Sequence, residues 1–244
     1  MLTGAQWSQV QVQRSLGGMG QVASCVPVSG STMSSYGIAL TSSGGSTPAL
    51  ATTNLQTRTK RTQFDTGTST TSVVGVRTAY GQWWRGTATG EGGFFFNAVF
   101  SQNTNVSGHT AFVGLCATTD ALSGTASSMT SMLGIGYDTS DTAAGNWYIM
   151  RNDASGTATK VDTGIARNTT SVIEFAAYCK GASGSVTVQV TNRSTSSVTF
   201  PATAYSTDLP SSTAFLAVKS EILNGSTTSN GGLLLYKLYV ESPE

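Results

Sequence analysis

Trp83-Trp84-Arg85-Gly86-Thr87-Ala88-Thr89-Gly90-Glu91-Gly92-Gly93-Phe94-Phe95-Phe96-Asn97-Ala98-Val99-Phe100 runs a glycine-rich turn straight into an aromatic block. A soluble helix of ordinary length is not written this way, because glycine is costly inside a helix. In a strand, neighbouring side chains point to opposite faces. Phe94 and Phe96 then share one face, with Phe95 on the other, and Trp83 and Trp84 part in the same way. One tryptophan is expected in the core and its neighbour over the second face or an interface. Arg85 beside them is placed to stack on an exposed ring or to lay its stem along it. An indole exposed beside polar groups would be a surface for stacking a sugar. Each large apolar side chain removed from water contributes about 1.5–3 kcal/mol before entropic costs, so this block carries much of the fold.

Working outward, strand signals recur at 72–80, 94–100, 110–117, 132–137, 146–151, 171–178, 185–193, 213–219 and 233–240. Val186, Val188 and Val190 alternate with Thr187, Gln189 and Thr191, the period of a half-buried strand. The continuous apolar run within 233–240 predicts a strand covered on both sides. Glycine pairs, Asn-Asp and Asn-Gly punctuate the gaps. Between Asp120 and Leu133 the Gly, Ser and Thr content allows no more than a short helical turn. Many short strands without intervening helices predict an all-β domain, a jelly-roll or lectin-like β-sandwich. Its signals become regular from about Leu55, so the sandwich is assigned to residues 51–244. Residues 1–50, with short strand candidates around Val10, Val12 and Val22 to Val28, read as an extended N-terminal arm or attachment segment.

Composition narrows the partners. Of the 244 residues only 10% are charged and the formal net charge is +1, which excludes a nucleic-acid-binding surface of clustered Lys and Arg. The densest basic group, Arg58, Lys60 and Arg61, is too small for that role. Nine Phe, eight Tyr and four Trp supply core material, so the Ser- and Thr-rich chain is expected to fold. Its surface would be solvated by hydroxyls and amides, which suits an extracellular or virion surface. Cys25, Cys116 and Cys179 lack metal-ligand spacing, and the last two sit among core residues. No signal peptide is expected, and no run is long enough to insert in a membrane.

The ordered motifs carry a resemblance. Trp83-Trp84-Arg85-Gly86, Gly92-Gly93-Phe94-Phe95-Phe96 and Phe112-Val113-Gly114-Leu115 come first. Ile135-Gly136-Tyr137-Asp138, the run from Asn152 to Lys160, Thr207-Asp208-Leu209-Pro210 and Leu238-Tyr239-Val240-Glu241 follow. Together, over residues 56–244, they resemble a domain recurring in tail-fibre, receptor-binding and other structural proteins of tailed bacteriophages. The chain departs from that pattern at Val99 and at His109-Thr110, where the family often carries arginine. The resemblance implies a virion protein, assembled in the host cytoplasm as a homotrimer with other phage structural proteins. Contact with a bacterial surface polysaccharide is the expected role. The alternatives are a head-decoration or capsid-cementing protein and a glycan-hydrolysing tail spike.

Chemistry-bearing residues are few. His109 stands alone without a visible nucleophile and acidic orienter, and reads as a strand-start residue. No catalytic residue, cofactor or metal ligand is assigned. Tyr137, Asp138, Asp141, Trp147 and Asp153 form the candidate glycan-binding set: carboxylates and aromatics in loops, beside Asn152. The same carboxylates are read first as turn residues accepting backbone N–H bonds, ahead of glycan contact, with a calcium site on loop oxygens behind both because no EF-hand spacing is present. A glycosidase would need two carboxylates facing across a cleft.

Overall fold

A computed structural model describes residues 22–29, 32–36, 40–143 and 145–242; the strand candidates at Val10 and Val12 lie outside them. The first half of the chain forms β1 (Val22–Ser29), β2 (Thr32–Tyr36), β3 (Leu40–Ser43), helix α1 (Leu55–Arg58), β4 (Thr62–Asp65), β5 (Val73–Thr78), β6 (Gly93–Gln102) and β7 (His109–Cys116). The second half adds β8 (Met132–Tyr137), β9 (Asn146–Asn152), β10 (Thr159–Ala166) and β11 (Ile173–Lys180). It ends with β12 (Val186–Asn192), β13 (Ser197–Tyr205), β14 (Ala217–Asn224) and β15 (Gly232–Glu241). One sheet runs β13-β12-β11-β6-β15-β1-β2, with β4 also on β15; the other runs β10-β9-β8-β7-β14-β5-β3. Neighbouring strands pair antiparallel throughout. The chain is therefore an all-β, two-sheet sandwich.

The aromatic block sits where its alternation puts it. Phe94 and Phe96 are buried between the sheets, while Phe95 is half-buried on the outer face against Tyr239, with ring centroids 6.2 Å apart. Opposite them, Val113, Leu115, Leu133, Ile135, Ile149 and Val218 complete the main core. β15 needs a device to keep its apolar side inward. A register shift between Leu235 and Lys237 lets Leu233 and Leu235 face the core before it, and Leu238 and Val240 after it. Leu234 ahead of the shift and Tyr236 within it lie on the outer face in a small second core with Leu55 of α1. That helix opens on a capping box, with Asn54 Oδ1 accepting from the Thr57 N–H at 2.9 Å.

The seven-stranded sheet has its own outer cover. Leu122, Ala126 and Met129, in the segment after β7, pack on Phe112, Cys116, Met132 and Met150. The helical turn expected between Asp120 and Leu133 is a three-residue 3₁₀ turn, Ala126–Ser128. Phe112 lies across Gly134, where a Cβ would come within 2.5 Å of its ring; glycine is required for this approach. The segment is pegged by charges: Lys219, fully buried, donates to Asp120 O at 2.6 Å. Glu221, 1% exposed, accepts from Arg77 at 2.8 Å and from the Leu122 N–H at 2.7 Å. All three cysteines are buried and unpaired.

Part of the expected arm is woven into both sheets. β1 pairs with β15 from Val22↔Glu241 to Cys25↔Leu238, and β3 pairs with β5 from Leu40↔Thr78 to Ser43↔Gly75. Ala23 and Cys25 are buried in the main core, which explains why this segment adds to the sandwich.

Candidate functional site

The candidate set between 137 and 153 divides. Tyr137 and Trp147 are 1% and 2% exposed, and their rings meet edge to face with centroids 5.3 Å apart. Trp147 meets Phe100 likewise, at 5.1 Å and 80°. The Arg167 guanidinium covers Tyr137, 3.9 Å from the ring centroid. Burial pushes the Tyr137 phenol up to about 12, with Arg167 opposing the shift. Neither ring offers a face to a sugar, which corrects their assignment to a glycan site. The cause is strand parity: Tyr137 shares its face with Ile135, and Trp147 shares its face with Ile149, so both point inward. Tyr148 is the outward neighbour and is half-buried.

Asp138 and Asp141 do come together, around a residue absent from the expected set. Lys160 of β10 places its Nζ 2.5 Å from Asp141 Oδ2 and 3.4 Å from Asp138 Oδ2, and 4.6 Å from the Tyr148 ring centroid. The remaining Asp138 oxygen accepts the Ser127 N–H at 3.0 Å, while the Asp138 N–H donates to Asp141 Oδ2 at 2.8 Å. One ammonium thus serves both carboxylates, and the two acids do not face each other across a cleft. Asp153 is not part of this cluster. It follows the other end of β9, is exposed, and accepts the Ser155 N–H within its own turn at 2.8 Å. Asp141 and Asp153 therefore behave as turn residues. Among the described residues no group of three or more His, Cys, Asp and Glu side chains is gathered to hold a metal ion. His109 is buried at the start of β7, with Nε2 2.8 Å from Ser229 O.

Solvent-facing aromatics lie elsewhere. Trp83 and Leu216 form an isolated antiparallel bridge, the Leu216 N–H donating to Trp83 O at 2.6 Å. Both side chains go inward, at 1% and 0% exposure. Their neighbours across the same bridge, Trp84 and Phe215, go outward and stack at 5.5 Å with an interplanar angle of 25°. Phe215 is 56% exposed and Trp84 half-buried. Arg85 braces the ledge from behind: its terminal nitrogens donate to Pro210 O at 2.8 Å and Ser183 O at 2.9 Å, tying together the two flanking loops. Gly81 fits against Phe215, where a Cβ would lie 2.6 Å from the Phe215 carbonyl oxygen, and exposed Tyr80 adjoins it. The tryptophan pair parts as its sequence predicts. Phe215 is a surface residue that the sequence reading did not single out: alternation separates it from Leu216, but only the bridge to Trp83 shows which of the two faces outward.

No protein-family model matches the chain, and no curated protein matches it in sequence. Solved structures do match. A peanut lectin is 13% identical over 91% of this chain and 97% of its own, with a TM-score of 0.57. Lectin I from Ulex europaeus, in complex with the methyl glycoside of α-L-fucose, is 12% identical over 91% and 98%, with a TM-score of 0.55. A protein of unknown function from Shewanella oneidensis MR-1 is 10% identical over 99% and 95%, at 0.56. These likenesses establish the architecture: an antiparallel two-sheet sandwich resembling the legume lectins.

Proposed function

We propose that this chain is a glycan-recognition module of a bacteriophage virion, acting without catalysis of its own. The observation that carries the glycan reading is the architecture, a double sheet shared across nine-tenths of the chain with a lectin solved bearing a fucoside. Low charge supports it, since 10% charged residues suit a surface that engages hydroxyl-rich ligands through rings, amides and hydroxyls. The non-catalytic reading is supported by the carboxylates at 138 and 141, which share one lysine ammonium. Placement in a virion, in a tail fibre or other receptor-binding appendage, is supported by the ordered motifs from Trp83 to Glu241. Homotrimeric assembly with other phage proteins belongs to the same reading.

Binding of the purified chain to a bacterial-glycan array and to whole host cells tests recognition. Signal on surface polysaccharide is expected, and silence on both would contradict the reading. Incubation with the bound polysaccharide should release no new reducing ends; steady release would make the chain a hydrolase. Light scattering should give three times the chain mass. A capsid-cementing role is favoured by a separate feature, the outer strand β13, whose residues are mostly exposed and include Val198 at 51%. Such an edge can pair with another chain. Labelling the protein in intact particles separates the two, since cementing places it on the head and receptor binding on the tail.

A further inference from the structure

We infer that the Trp84–Phe215 ledge is the sugar-stacking site, and that its ligand is an uncharged pyranose presented by its C–H face. This inference rests on the glycan reading above and gives it a location. The bridge between Trp83 and Leu216 fixes the ledge at its base. Because the inward pair plugs the core, the outward pair is fixed by the bridge and by its own stack, and Phe215 stays 56% exposed. A sugar ring has a C–H face that needs an apolar plane and a hydroxyl rim that needs donors and acceptors. Phe215 supplies exposed plane, and Trp84 combines apolar surface with an indole N–H that donates to no protein group among the described residues.

The surroundings complete the match. Hydroxyl pairs stand on both loops that Arg85 ties together: Ser211 with Thr213 at 3.0 Å, and Ser183 with Ser185 at 3.3 Å. Each pair keeps unused acceptor capacity. Both terminal nitrogens of Arg85 donate to carbonyl oxygens and its Nε is buried, so the guanidinium is tied into the two loops and is not extended over the ledge to meet a carboxylate or phosphate. Size argues against a protein partner. Two aromatic side chains, partly covered, expose at most a few hundred Å², whereas a stable interface buries about 800 Å² on each partner. A sugar ring needs no more than the ledge offers. An open ledge binds weakly, with Kd of about 1 mM per site, and repeated copies would raise avidity by about 10²–10⁴ where the spacing allows.

The test uses the full chain with neutral methyl pyranosides of glucose, galactose, mannose and fucose, followed by saturation-transfer NMR and tryptophan emission. At least one pyranoside is expected to receive saturation and to shift the emission. Phe215→Ala and Trp84→Ala should weaken binding about tenfold or more, Phe215→Tyr, which keeps an aromatic plane, should recover most of the loss seen with Phe215→Ala, and Asp141→Asn binds as the parent does. Circular dichroism and the melting temperature identify any variant that fails to fold; Phe215→Tyr keeps the comparison valid. If the parent binds array glycans or cells and both alanine variants bind equally well, the location is wrong and the glycan reading stands. If the parent binds no glycan in any format, both fall. A change in oligomer mass for Phe215→Ala without loss of sugar binding would make the ledge a subunit contact and overturn the inference.

Discussion

Two aromatic regions of this sandwich look alike in sequence and behave oppositely in the structure. Around 137–148, Tyr137 and Trp147 turn inward and become part of the main core, and the acids beside them close on Lys160. Around 83–84 and 215–216, an antiparallel bridge sends Trp83 and Leu216 inward and leaves Trp84 and Phe215 facing solvent. The lesson is that an aromatic residue near a polar turn says little by itself. Its parity relative to the buried neighbours decides whether it stabilises the fold or meets a ligand.

Truncation should break this comparison most sharply. Trp147→Ala removes a ring held by Phe100 and Tyr137 and is expected to cost about 3–5 kcal/mol in urea denaturation. A loss below about 1 kcal/mol would mean that Trp147 is not a core residue. Next comes the lysine clasp. Lys160→Met leaves two largely covered carboxylates without their counter-charge, and should cost about 1–3 kcal/mol. Adding Asp141→Asn to it should recover part of that loss in a double-mutant cycle. Strict additivity would show that the clasp is not formed.

A pH series sharpens the account of the interior. Burial pushes the Cys116 thiol from 9.0 up to about 11 and the Cys25 thiol from 9.0 up to about 12. The folded protein therefore holds the protonated thiols, and the unfolded chain loses those protons first as pH rises. Their stabilisation is complete below pH 9.0 and is lost progressively toward pH 11 to 12, so the urea midpoint should fall across that window. A midpoint rising there would contradict the burial. The smallest stability effect belongs to the ledge. Phe215→Ala should change stability by no more than about 0.5 kcal/mol, because the ring is already exposed.

Much of the fold was legible because burial and alternation agree. The strand predicted at 132–137 is observed at those bounds, and the one predicted at 94–100 extends only to Gly93–Gln102. β13 was not visible: as an outer strand it alternates weakly, and Pro201 is tolerated only because one edge has no partner. β10 was hidden by Asp162 and Gly164, which interrupt its apolar pattern. The site was legible only in part. Asp138 and Asp141 lie close in sequence and in space, but the Lys160 that joins them reaches from 22 and 19 residues away in the chain. Counting parity back from Ile135 and Ile149 would have sent Tyr137 and Trp147 into the core. Phe215 needed knowledge of the Trp83↔Leu216 register, which only the assembled sandwich provides.

The most direct measurement is a crystal structure of the chain soaked with the methyl pyranoside that gives the strongest saturation transfer. The account predicts sugar density lying flat on Phe215, with a hydroxyl within hydrogen-bond distance of Trp84 Nε1. Density seated instead beside Tyr148 and Lys160, with Phe215 bare, would contradict it.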